Sequence, residues 1–327
     1  MTQTSLATTA SATTASAHAT PLPASSPSLS RAGLAAAAAA FVIWGLFPIY
    51  LAGLSKVSAL EITAHRILWS VVFVLGWLGL RGELGKIRAA LAREGILLRL
   101  FASAALITIN WLAFVWAVTQ NHVMDVSLGY YINPLVNVLL GIFILSERLN
   151  RVQWIAVALA AVGVTYLAAD TGHIPWAALA VAISFAFYGL IRKTANVEAL
   201  PGLAIELVIL LPLAAGYLIW REAQGVGSLG GALVRGDAFT VTLLVFSGLI
   251  TALPLYLFSY GARLIPYSTV GVIQYIAPSM QLATAVFYFR EPFEHGRAVG
   301  FGMIWLALVV YAGDGLWRAR ALTRPKS

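Results

Sequence analysis

The chain has 327 residues; 60% are hydrophobic and only 10% charged, where a soluble domain carries roughly 25% charged residues. The formal net charge is +8, but the basic residues stand singly between apolar blocks, which argues against nucleic acid as a partner. There is no cysteine, which excludes disulfide scaffolds, thiolate metal sites and cysteine nucleophiles.

Residues 1–32 are rich in Ala, Ser, Thr and Pro and hold no apolar run. They are expected to form a disordered cytoplasmic tail, without the basic start and apolar stretch of a signal peptide. Ten apolar blocks follow, at 33–54, 61–80, 99–119, 125–145, 152–168, 174–191, 202–220, 240–261, 267–289 and 297–317. Each is close to the ~20 residues that cross a hydrocarbon core of roughly 30 Å. Backbone groups in lipid must pair within their own segment, so each block is predicted to be a helix. The fold class is therefore an all-α membrane protein with ten transmembrane helices. Residues 318–327 form a basic tail.

The long connections are 81–98 and 221–239; the rest are short, so neighbouring helices run antiparallel. With the N-terminus in the cytoplasm, 15 of the 21 Lys and Arg residues fall inside and 6 outside. This asymmetry predicts that both termini are cytoplasmic, in a multi-pass protein of the inner or plasma membrane.

One shift of 144 residues aligns the two halves of the chain. Phe41, Trp44, Gly45 and Leu46 fall on Phe185, Tyr188, Gly189 and Leu190. Tyr131, Ile132 and Pro134 fall on Tyr275, Ile276 and Pro278; Phe114 falls on Phe258 and Glu147 on Glu291. Two five-helix repeats are expected, over 33–168 and 174–317. Five is odd, so the second repeat enters the bilayer from the opposite face. Inverted repeats suit alternating access around a site between the halves.

These segments resemble the EamA family of the drug/metabolite transporter superfamily, and within it the RarD branch. The resemblance is carried by Phe41–Gly45 (FVIWG), Glu61–Arg66 (EITAHR), Asn110–Val118 (NWLAFVWAV), Ser127–Asn137 (SLGYYINPLVN), Ser146–Arg148 (SER), Ile205–Pro212 (IELVILLP) and Gln274–Pro278 (QYIAP). It implies small-solute export through a ten-helix inverted repeat and leaves the solute open.

Charges within membrane helices are costly and need a reason. Glu61, His65 and Arg66 lie at the start of the second helix; Glu61 and His65 share a face at i and i+4. Glu206 lies one turn into the seventh helix, one residue from the position that the shift assigns to Glu61. These four residues are candidate gate or coupling groups. Interfacial snorkelling, or a pair of Glu206 with Arg192 or Lys193, is the alternative.

Trp44, Asn110, Trp111, Tyr131, Asn133, Tyr188, Gln274 and Tyr275 sit near mid-helix and are candidate substrate-binding residues. Their mixture suits a small, weakly charged organic solute. The matched prolines Pro134 and Pro278 are expected to kink their helices. Glu147 and Glu291 are expected to cap helices or pair with nearby arginines.

No G-x-S-x-G, H-E-x-x-H or P-loop occurs, so the chain reads as neither an enzyme nor an ATP-driven pump. No cofactor or metal is expected. A solute gradient or a proton gradient is the expected driving force, the proton being favoured by Glu61, His65 and Glu206. The alternative is a channel or uncoupled facilitator. A homodimer is left open, with no G-x-x-x-G face beyond chance.

Overall fold

The structure is a computed structural model that describes residues 30–119, 123–169, 176–290 and 295–323. Among them all regular structure is helical. The chain runs through α1 (Arg31–Ala52), α2 (Ala59–Leu80), α3 (Leu84–Leu91), α4 (Ile96–Thr119), α5 (Val123–Phe143), α6 (Arg151–Ala169) and α7 (Trp176–Thr194). It continues through α8 (Ala199–Ala223), α9 (Ser228–Val234), α10 (Ala238–Leu264), α11 (Tyr267–Gln274), α12 (Ile276–Ala283) and α13 (His295–Thr323).

Eight helical stretches among the described residues are long and apolar enough to cross a membrane, counting Tyr267–Tyr288 as one. Two shorter apolar stretches, Leu128–Phe143 and Ala298–Asp314, lie in α5 and α13. Side-chain caps start several helices. Ser30 accepts from the Gly33 N–H at 3.2 Å, Ser58 from the Glu61 N–H at 3.3 Å, and Asp237 from the Thr240 N–H at 3.0 Å. Of the expected N-terminal tail only Ser30–Ala32 is described, and Arg31 already opens α1. Of the expected C-terminal tail Arg318–Thr323 are described, as the last residues of α13.

The two long connections each contain a short helix that hydropathy did not reveal. These are α3 and α9, whose first residues, Leu84 and Ser228, stand 144 positions apart. Glycines with positive φ turn the chain on both sides of each: Gly82 and Gly95, then Gly225 and Gly236. The same shift links Ser146 (φ 56°) and Arg290 (φ 60°), both held left-handed where one helix hands over to the next.

The two prolines of the repeat behave differently. Helix α5 runs unbroken through Pro134. The matching helix breaks at Tyr275, between α11 and α12, and ends in a π-helical turn over Thr284–Tyr288. Pro278 has no N–H for the carbonyl of Gln274, one turn earlier, which frees that end of α11.

The halves interlock. α5 packs on α7 and α11, α1 on α10 and α12, α2 on α8 and α10, α4 on α7, and α6 on α13. The main core, around Phe41, Leu78, Leu207, Phe258 and Tyr267, is drawn from both halves. A cavity at its centre is therefore walled by both.

Candidate functional site: a central cavity and its closed end

The cavity encloses about 420 Å³ in the middle of the bundle. The second half of α1 supplies Trp44, Phe47 and Leu51; α2 supplies Arg66; α4 supplies Asn110, Trp111 and Phe114. Tyr130 and Asn133 come from α5, Phe185 from α7, and Gln274, Pro278 and Gln281 from the broken helix. The lining runs from mid-helix to Ala52 and Phe289, at the end of the bundle that holds Ser58. The lining does not reach the opposite end, which holds Leu80; core side chains such as Leu78, Leu203, Ala262 and Ile265 pack toward that end.

Aromatic rings make the first layer of that packing. Phe185 lies 5.6 Å from Trp44 and 5.7 Å from Tyr188, centroid to centroid. Phe258 lies 5.9 Å from Trp44 and 6.1 Å from Tyr188. Trp44 and Tyr188, the matched aromatics, thus both pack on Phe185 and Phe258. Such edge and offset contacts add roughly 0.5–1.5 kcal/mol per pair beyond burial.

A polar layer lies beyond the rings. Glu206 is 3.5 Å from the Arg192 Nη1 and accepts a hydrogen bond from the Ser103 hydroxyl. Arg192 Nε donates to Ser259 Oγ at 3.1 Å and Nη2 to the Ala199 carbonyl at 2.7 Å. Glu206 and Arg192 are fully buried. An isolated charge in a membrane helix costs about 2.5–3.5 kcal/mol, and pairing is the usual remedy.

Seven of the residues expected from the sequence line the cavity: Trp44, Arg66, Asn110, Trp111, Asn133, Gln274 and Pro278. Its amides are largely engaged between helices. Asn110 Nδ2 donates to the Val181 carbonyl at 2.9 Å, and Asn133 Nδ2 to the Ala182 carbonyl. Asn137 Nδ2 donates to Gln274 Oε1 at 2.7 Å. Arg66 Nε donates to Thr251 Oγ1 at 2.8 Å.

The other expected residues lie outside this wall. Tyr131 donates to the Pro278 carbonyl at 3.1 Å and packs on Phe301, with ring centroids 5.0 Å apart. Tyr275 and Tyr188 are buried in the surrounding core. Pro134 faces Gly271, where an added Cβ would meet the Pro134 carbonyl at 2.6 Å. Glu61 is tied to the start of α9. It accepts from the Ser228 N–H, from Ser228 Oγ at 2.9 Å and from Arg221 at 3.3 Å. It accepts no hydrogen bond from His65, whose two ring nitrogens have no hydrogen-bond partner among the described residues. Glu147 caps a helix in the opposite half, accepting from the Tyr267 and Ser268 N–H groups at 2.6 and 2.9 Å. Glu291 lies outside the described residues.

Phe47, Phe114, Tyr130, Phe185, Gln281 and Phe289 also line the cavity and were not among the expected site residues. The repeat held part of the signal. Phe41 matches Phe185 and Phe114 matches Phe258, and all four lie at the cavity or in its aromatic floor.

A multi-pass helical bundle with an aromatic, amide-studded cavity between its halves is the framework of a membrane transporter. The EamA-like transporter family matches residues 31–169. A protein named RarD from Streptomyces exfoliatus is 42% identical over 291 residues, covering 89% of this chain and 91% of its own. A chloramphenicol-sensitive protein RarD from Pseudomonas aeruginosa is 31% identical over 290 residues, covering 88% and 95%. A crystal structure of another protein superposes with a TM-score of 0.66 at 17% identity, covering 89% of this chain and 99% of that one, and shares the fold. The chain belongs to the EamA-like transporter family, in its RarD branch, and is a multi-pass protein of the cell membrane.

Proposed function

We propose that the protein is a secondary carrier that exports small organic metabolites or drugs by alternating access. Its ten apolar segments all span the bilayer, as two inverted repeats over 33–168 and 174–317, with both termini cytoplasmic. The Ser58 end is then the outer end. The observation that carries this reading is the cavity itself. It is walled by both halves, open toward one end, and stopped at the other by the Phe185–Phe258 layer and the Arg192–Glu206 pair. That arrangement is one of the two states a carrier needs. The 144-residue spacing of α3 and α9, and of Ser146 and Arg290, supports the repeat.

In this reading Glu206 with Arg192 forms the inner gate, and Glu61 with Arg221 and Ser228 braces the outer one. Proton coupling runs through Glu206 or His65. Chloramphenicol, which appears in the name of the Pseudomonas relative, is the first solute to test.

The chain has no cysteine, so single introduced cysteines have no background. Leu51→Cys at the open end and Ser103→Cys beyond the aromatic layer are labelled in proteoliposomes with a membrane-impermeant maleimide from either side. Alternating access predicts that chloramphenicol, amino acids or purine bases, with and without a pH gradient, move the two labelling rates in opposite directions. Both positions reacting at once, with no reciprocity, overturns the carrier and leaves a channel.

A further inference from the structure

We propose that the cavity is built for organic monoanions, an apolar or aromatic body bearing one carboxylate, and that Arg66 binds the carboxylate. This rests on the carrier reading above and names the solute class for the same cavity.

Arg66 is the one charged side chain among the described residues of the lining. Its guanidinium is held in a fixed plane. The carbon lies 4.8 Å from the Phe47 ring centroid and 5.1 Å from that of Trp111, and Nε is spent on Thr251 Oγ1. Two rings pack on the guanidinium, and among the described residues its terminal Nη groups have no hydrogen-bond partner, which leaves that edge for a ligand. A planar guanidinium edge matches a carboxylate in a bidentate pair, which a point-like ammonium does not.

Nothing described neutralises this cation from within. Among the described residues no carboxylate forms an ion pair with it. Glu61, on the same helix, is committed to Ser228 and Arg221, and Glu206 to Arg192. Arg66 thus stands in an apolar cavity while the described carboxylates of Glu61 and Glu206 are spent on other partners. The gap is filled when a solute brings the negative charge. One cation balances one charge; a dianion would keep a second charge unpaired against apolar walls.

The rest of the wall fits the body of such a solute. Trp44, Trp111, Phe114 and Phe185 offer ring surfaces. The amides are mostly occupied by helix–helix hydrogen bonds, as when Gln281 Nε2 donates to the Trp44 carbonyl at 3.2 Å. The cavity therefore reads one polar feature strongly and apolar shape elsewhere.

The test uses four probes with the same kind of aromatic body: 3-phenylpropionate, 3-phenylpropanamide, 3-phenylpropylamine and phenyl phosphate. Binding to the purified full chain in detergent is measured by calorimetry and thermal shift. The expected result is that 3-phenylpropionate binds at least tenfold more tightly than the amide, the amine or the phosphate dianion. Arg66→Gln abolishes the preference, and Arg66→Lys keeps part of it. A merely structural Arg66 would change overall stability and leave the charge preference intact. Equal affinity for propionate and amide, or no binding of any probe, overturns the proposal from the native protein alone, whether or not the variants fold. Tighter binding of phenyl phosphate overturns the monoanion. Any of these results, alongside reciprocal cysteine labelling, leaves the carrier reading standing.

Discussion

Glu206 and Arg192 face each other at 3.5 Å with side chains 3% and 1% exposed, and the two residues come from adjacent helices, α8 and α7. Each ion depends on the other, because water reaches neither. Removing one partner leaves a buried charge, at a typical cost of about 3–5 kcal/mol. Arg192→Leu and Glu206→Leu are each expected to lower the unfolding temperature sharply. The double replacement is expected to recover much of the loss. Thermal denaturation of the three variants in detergent checks this, and additive losses would show that the two charges act independently.

The hydrogen bond from Asn137 to Gln274 joins α5 to the end of α11, just before the break. Side-chain hydrogen bonds between membrane helices contribute about 0.6 kcal/mol on average and up to about 1.7. A double-mutant cycle with Asn137→Ala and Gln274→Ala should give a coupling in that range. A coupling of zero would mean that the bond does not hold the break in register.

At Gly248 α10 meets α2 in close backbone contact. A Cβ there would lie 2.3 Å from the Trp69 carbonyl carbon and 2.5 Å from the Ser70 nitrogen, both backbone atoms. The Ser70 hydroxyl donates to the Gly248 carbonyl across the same contact, at 2.9 Å. Gly248→Ala must push the helices apart and is expected to destabilise by about 1–3 kcal/mol, as overpacked cores do. Gly216→Ala, which meets nothing within 4 Å, is the control and should be neutral or slightly stabilising.

Asp237, just before α10, has its carboxyl held below the usual range by the Thr240 N–H and hydroxyl, both of which donate to it. A depressed folded value means that its stabilisation is present at neutral pH and is lost as pH falls through that value. Hydrogen exchange at the first amides of α10 should therefore quicken on acidification. Asp237→Asn keeps the cap but cannot titrate, and should remove the pH dependence. An unchanged pH profile in that variant would assign the effect elsewhere.

The apolar blocks were legible because lipid demands length and apolarity, and each block overlaps a helix. Helices α3 and α9 were not, since seven or eight residues carry too little hydropathy to register. The cavity was half legible. Depth along each helix followed from counting, which found Trp44, Asn110 and Gln274. Rotation did not, because it is set by neighbours that sequence does not name. Tyr188 and Phe185 differ by three positions, yet only Phe185 reaches the cavity. Glu61 and Arg66 are separated by about 140° around α2, at ~100° per residue. One faces α9 and the other the cavity. The 144-residue shift carried aromatic positions that hydropathy alone could not rank.

The hydrogen bonds that cross between the halves also set an order of events during synthesis. Asn110 waits for the carbonyl of Val181, Asn133 for that of Ala182, Glu61 for Ser228 and Glu147 for Tyr267. All four polar groups leave the ribosome before their partners do. The first half of the chain is therefore made with unfinished business. A chain truncated after residue 169 should be recognised as incomplete by the quality-control proteases of the membrane, while the full chain escapes them.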